Sequence, residues 1–169
     1  MFEAFLLHRL AGAWHPVLIK SRQFSEKTGE LKPCFFARFL PYFNMIKAFI
    51  EKAQQNLIAA QVLIDQDLYD AAVNRAYYAS FQAAVAALAK AGIVSQKNEH
   101  RWVQSNFNGE LIKKRKVYPG RIKAYLTDLQ KIRNIADYSD ICVSQKVTIR
   151  QVMKAKKFVD TILEVIKKT

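Results

Sequence analysis

The chain is poor in the residues that build several kinds of protein. Five Gly and four Pro in 169 residues are too few for an all-β protein with many tight turns. Two cysteines, Cys34 and Cys142, give no spacing for a metal or disulfide framework, as expected of an ordinary reduced intracellular protein. No segment reaches the ~20 apolar residues of a membrane span. Phe2 to Ile19 is apolar, but Glu3, His8, Arg9 and His15 interrupt it, and no basic n-region with a small-residue cleavage site is present. These absences predict a cytoplasmic protein without a membrane segment. A Gly-rich phosphate loop, metal-ligand spacing and a strand–turn–helix setting for a serine nucleophile are all missing, so neither metal nor cofactor is expected. Acidic residues are scarce too: 14 Asp+Glu face 27 Lys+Arg, a formal charge of +13. Such a surplus favours anionic partners, whether nucleic acid, nucleotide, acidic protein or membrane surface, without choosing among them. Solubility alone is the plainer account.

What the chain does have is apolar material, 51% of its residues, enough to bury a full core in one domain or one domain plus a tail. Its character changes at Met45. Residues 1–44 are Phe-rich pieces broken by Pro16, Pro33 and Pro41, with neither a helical period nor strand alternation. They read as an N-terminal extension ahead of a domain over 45–169. Either Met45 is the natural start, the preferred reading, or the extension packs on the bundle or a partner.

From Met45 onward a 3.6-residue period predicts five helices. The first covers about 46–64, with Ile46, Phe49, Ile50, Ala53, Leu57, Ala60 and Ile64 on one stripe. Asp67 is placed to cap the second, about 68–91, with Asp70 on its N-terminal dipole and Gly92 at its end. The third runs over about 100–113, weakened by Gly109, and leads into the basic stretch Lys113-Lys114-Arg115-Lys116. Pro119 opens the fourth, about 120–136. Thr148-Ile149-Arg150-Gln151 reads as a capping box for the last. Five helices with short joints imply an all-α antiparallel bundle.

Two segments put polar and aromatic groups inside these amphipathic patterns: Asn74-Arg75-Ala76-Tyr77-Tyr78-Ala79-Ser80-Phe81 and Arg133-Asn134-Ile135-Ala136-Asp137-Tyr138. An arginine among apolar positions is costly unless something anionic or polar meets it. The two helices therefore suggest a shared polar site. One reading is that these residues satisfy one another: Asp137 is four residues after Arg133, the spacing of a helical ion pair, and Asn74 with the tyrosine hydroxyls can complete the network. Residues 101–133 hold nine Lys and Arg against Glu110 and Asp128, so Lys114 and Arg115 read either as a solvated loop or as a rim for an RNA backbone. Trp102, Tyr118 and Tyr125 can stack on bases, although core packing explains them more simply.

The two motifs together resemble the HEPN family, in its branch of small stand-alone helical proteins. His100, opening the third helix, falls where that branch often has histidine. The resemblance implies a HEPN-like bundle that forms a homodimer and pairs with a minimal nucleotidyltransferase, as in toxin–antitoxin and nucleotide-linked systems. It further implies a dimer cleft that binds RNA or a nucleotide through Asn74, Arg75, Tyr77, Tyr78 and His100. Many such proteins are metal-independent ribonucleases with an Arg-x4–6-His motif. Arg133 matches the arginine, and with Asp137 and Tyr138 forms the candidate catalytic group. No histidine follows within six residues, and Tyr138 holds the first allowed place. Histidine titrates near ~6.5 and serves as base and acid, whereas a tyrosine near ~10 is a poor base. The alternative is a non-catalytic interaction module for the nucleotidyltransferase. Family members can also be nucleotidylated on a tyrosine beside the arginine motif, which here is Tyr138.

Overall fold

The computed structural model describes residues 33–95 and 97–168, with side chains from residue 42 onward. The expectations for residues 1–32 lie outside the described residues. Among the described residues five α-helices follow one another: α1 (Pro33–Asp65), α2 (Tyr69–Lys90), α3 (His100–Asn106), α4 (Tyr125–Tyr138) and α5 (Gln145–Lys168). A π-helical segment, Phe107–Lys114, continues α3, and a 3-10 turn, Gly120–Ile122, precedes α4. Among the described residues there is no strand, and no helix is long and apolar enough to cross a membrane. The expected all-α architecture is what forms.

Helix α2 is the hub, packed against α1, α3, α4 and α5. Its second half is buried nearly all round, from Ala83 to Ala89, as befits a helix whose side chains are mostly alanine and apolar. Ile46 packs on Ala86 and Ala89, whereas Asn56 donates to Gln82 at 3.0 Å, so α1 and α2 run antiparallel. Ala53 and Ala60 of α1 join Ala76, Ala79 and Ala83 of α2 in one buried cluster, an alanine seam between the two helices. Larger groups fill the space towards the other elements. Phe107 lies 5.4 Å from the Tyr118 ring and 5.3 Å from Phe158, and Leu111, Ile122, Leu126, Leu129 and Ile162 close around them. Tyr118 is therefore core, and Trp102 and Tyr125 pack partly buried against that core, as the simpler reading held.

Several boundaries differ from the sequence expectation. The first helix begins at Pro33 instead of near Ile46. A proline suits the first helical position, and the helix carries Pro41 in its interior, where the lost N–H makes the sequence read as a break. Asp67 does not cap α2. It sits at φ 56° and ends α1, with its own N–H on Ile64 O at 3.0 Å and Leu68 N–H on Leu63 O at 2.9 Å. Its carboxylate accepts the Tyr69 hydroxyl instead. Gly92, at φ 76°, closes α2 by the same pair of bonds, Gly92 N–H to Ala89 O and Ile93 N–H to Leu88 O. The third helix changes pitch at Phe107, and the fourth reaches α geometry only at Tyr125. The last starts at Gln145, so Thr148 is inside it, fully buried, its hydroxyl on Ser144 O at 3.1 Å, and the expected capping box is not one.

Candidate functional site

The first half of α2 turns Ala72, Val73, Ala76 and Tyr77 to the core and leaves Asn74, Arg75 and Tyr78 along its flank. Helix α4 packs against that flank. Its buried face is Leu126 and Leu129, and one turn further Arg133 emerges at the edge of the same stripe. Arg133 Nη2 meets Asp137 Oδ2 at 2.7 Å, with side chains 18% and 23% exposed. Asn74 Nδ2 donates to both Asp137 oxygens at 3.0 and 3.2 Å, tying α2 to α4. Arg75 Nη2 donates to Asn74 Oδ1 at 3.2 Å. The mutual satisfaction anticipated from sequence is thus real for Asn74, Arg133 and Asp137.

It is also incomplete. Arg133 Nη1 reaches Asn134 Oδ1 at 3.3 Å, but the buried Nε has no partner among the described residues. The Arg133 guanidinium lies 6.0 Å from the Tyr78 ring and 5.6 Å from the Tyr138 ring, and Arg75 lies 5.5 Å from Tyr78. One tyrosine ring is therefore shared by two guanidiniums, a favourable use of its π face. Burial works against the charge of Arg133, yet Asp137 foremost, with Tyr78 and Tyr138, holds its pKa above the ordinary value. Tyr138 is 79% exposed. Beside the ion pair is an open cavity of about 280 Å³ lined by Asp70, Ala71, Asn74, Arg75 and Asp137. Asp70 helps form its wall while accepting Val143 N–H at 2.8 Å.

His100, the first residue of α3, belongs to the same region. Its Nδ1 is 2.7 Å from the Tyr77 hydroxyl, and its ring lies 4.6 Å from Phe81. Burial, then the charge of Arg133, lowers its pKa. Tyr77 is fully buried, and burial pushes its phenol up to about 12. Asn74, Arg75, Tyr77, Tyr78, His100, Arg133, Asp137 and Tyr138 are accordingly one cluster. Lys114 and Arg115 are not part of it. Lys114 pairs with Glu110 at 2.6 Å, and Arg115 donates to Ala91 O at 3.0 Å, where α2 ends. At ~1.5 Å per residue that is roughly 25 Å along α2 from Asn74. Sequence reading quoted Phe81 within the first motif without a role at the site, and missed Gln104 and Gln130. Gln104 donates to Gln130 at 2.6 Å and also hydrogen-bonds Tyr77. Their signal was there in the spacing, since Gln104 is one turn after His100 and Gln130 one turn before Arg133. Among the described residues no three His, Cys, Asp or Glu side chains gather as a metal site.

A sequence profile of the HEPN domain matches residues 46–169, which include every residue of this cluster. The chain belongs to the HEPN domain family. It is 34% identical over 125 residues to "Putative toxin MJ0605" of Methanocaldococcus jannaschii, a match covering 72% of this chain and 89% of that protein. A UPF0332 protein of Gloeobacter violaceus is 34% identical over 89 residues, 53% of this chain and 68% of that one. "Putative toxin MJ0142", also of M. jannaschii, is 32% identical over 99 residues, 59% of this chain and 65% of that one. Within the HEPN fold of this chain, both motifs and His100 face one another across α2, α3 and α4.

Proposed function

We propose that this chain is the HEPN component of a toxin–antitoxin-like system, binding the phosphate of RNA or of a nucleotide at the α2–α4 cluster. The observation that carries the reading is the open donor capacity of Arg133. A guanidinium has five N–H donors in a planar fork suited to phosphate. Asp137 and Asn134 take two here, Tyr138 also hydrogen-bonds the group, and Nε is left without an acceptor among the described residues. Arg75 adds a second guanidinium on the same tyrosine ring, and the charge of +13 draws anions to the surface. The names of the two M. jannaschii relatives support the toxin-like assignment. Its partner on this reading is a minimal nucleotidyltransferase. Its working form is a cytoplasmic homodimer, for which exposed Ile135, Tyr138 and Ile141 beside the cluster offer apolar surface.

The missing histidine after Arg133 favours binding over cleavage. Tyr138 keeps the position, and a phenol is a poorer general base than the imidazole the motif calls for. The test is fluorescence anisotropy with short single-stranded RNA, and with ATP as competitor, on wild type and Arg133→Ala. Losing a charged hydrogen bond of ~1.5–3 kcal/mol weakens binding by roughly tenfold or more. Arg133→Lys restores only part, because lysine keeps the charge without the fork. Equal affinity in wild type and Arg133→Ala removes Arg133 from the site. If RNA is cut, the reaction survives chelator, and Arg133→Ala slows it by about two to three orders of magnitude.

A further inference from the structure

The hydroxyl of Tyr77 is inside the protein, where an O–H without an acceptor is costly. Two groups reach it. Gln104, whose amide already donates to Gln130 Oε1 at 2.6 Å, opposes the upward push of burial on the phenol, as a donor to the phenol oxygen does. The Tyr77 proton is then left with one acceptor, His100 Nδ1 at 2.7 Å. A ring nitrogen that accepts carries no proton, so neutral His100 has its proton on Nε2. Nε2 is on the ring edge away from the buried phenol and has no hydrogen-bond partner among the described residues. The ring orientation is fixed as well, with Phe81 at 4.6 Å, Tyr77 at 5.5 Å and Tyr78 at 6.2 Å. Tyr78 is the ring that also lies against Arg133.

We propose that His100 is a neutral Nε2–H donor to the phosphate bound by Arg133, with Tyr77 and Gln104 setting its tautomer, and not a replacement for the absent motif histidine as proton carrier. The proposal rests on the phosphate-binding reading of the site. Protonating His100 would put a second proton on Nδ1, directly against the Tyr77 O–H. The groups around the ring do not relieve this: α2 offers Tyr77, whose phenol burial holds protonated, and the ring of Tyr78, and α4 offers the cation Arg133. On its own segment Glu99 and Arg101 flank it with opposite charges. The imidazole is thereby held neutral near pH 7, a donor at one nitrogen and an occupied acceptor at the other.

The test uses the full chain and a short single-stranded RNA. Nitrogen-15 NMR of the histidine rings, with the His100 signal assigned by its loss in His100→Gln, reads tautomer and charge directly. The expected result is a neutral Nε2–H ring at pH 7. RNA affinity falls roughly three- to tenfold in His100→Ala, the worth of one neutral hydrogen bond, and partly returns in His100→Gln, whose amide can donate. Tyr77→Phe touches no ligand, yet it frees Nδ1. The ring then populates both tautomers and titrates higher, and RNA affinity gains a pH dependence, tightening as pH falls. An Nδ1–H tautomer or an imidazolium at pH 7 in the wild type overturns the proposal, and that measurement needs no variant to fold beyond the one used for assignment. RNA binding that needs Arg133 but is equal in His100→Ala overturns it alone. RNA that fails to bind the wild type overturns both this proposal and the phosphate-binding reading.

Discussion

Replacing Asp137 by alanine isolates what ties α2 to α4 at the site. The carboxylate accepts from Arg133 at 2.7 Å and from Asn74 at 3.0 and 3.2 Å, and the two ion-pair partners are 18% and 23% exposed. Fully exposed pairs contribute ~0.2–1 kcal/mol, whereas removing one partner of a buried pair costs ~3–5 kcal/mol. This pair stands between those limits, and the Asn74 bonds are worth about 1 kcal/mol more. The expected loss is about 2 kcal/mol in urea unfolding at neutral pH and one fixed protein concentration. Asp137→Asn keeps an acceptor for Asn74 and loses only the charge, so it should recover roughly half. Because the pair is partly shielded, moderate salt should remove little of the difference. In a double-mutant cycle with Arg133→Ala, the coupling should exceed ~0.5 kcal/mol. A loss within ~0.5 kcal/mol of zero for Asp137→Ala would make the pair an ordinary surface contact and refute the idea that it anchors the cluster.

Tyr138, 79% exposed and lying against Arg133, is the expected acceptor if the partner transfers a nucleotide to this chain, and the added phosphate would sit beside Arg133. Mass spectrometry after incubation with partner and ATP should find it there, and modification confined to Tyr77 or Tyr118 would reject the assignment. A chain beginning at Met45 should fold and unfold cooperatively like the full chain, since Tyr42 and Phe43 are 40% and 55% exposed and Ile46 is the first core residue described; a large drop in melting temperature would show that earlier residues cover core surface. His100 has its pKa lowered in the fold, so the unfolded chain binds the extra proton first as pH falls. Its contribution to stability is complete above the unfolded value of ~6.5 and is lost as pH falls through the lower folded value. His100→Gln should flatten this part of the stability–pH curve, and an unchanged slope between wild type and variant would contradict it.

Much of the fold was legible because apolar stripes and punctuation agreed. The stripe of α5 is Val152, Ala155, Val159, Ile162 and Ile166 at helical spacing, of which the first four are buried and Ile166 is half-buried. The ion pair of Arg133 and Asp137 followed from their separation of four. What was not legible depended on backbone details that side-chain spacing does not carry. Asp67 looks like a cap for the following helix, yet at φ 56° it terminates the preceding one. Phe107, Leu111 and Ile112 are buried as an apolar pattern demands, but the pattern cannot distinguish α from π pitch over eight residues. Proline signals hid the beginning of α1 at Pro33. Gln104 and Gln130 were passed over because solvent-facing glutamines are common, and only the buried phenol of Tyr77 gives this pair a task.

The alanine seam between α1 and α2 also governs how this molecule can drift. Where two helices meet through Ala53, Ala60, Ala76, Ala79 and Ala83, there is no bulk to trim, so a scan that replaces side chains by alanine passes over the seam without a signal. Within the packing itself, harm comes from growth. One added methyl or larger group has to push α1 away from the hub, at ~1–3 kcal/mol for a modest overpacking. Glycine is the opposite change, and it costs ~1 kcal/mol through the backbone alone. Variation along this seam is therefore bounded on both sides. Relatives that diverge at Phe107 or Phe158 can repack with other large side chains, whereas Ala76 and Ala79 have almost nowhere to go. Alanines are thus among the positions that hold α1 against the helix that carries Asn74 and Arg75.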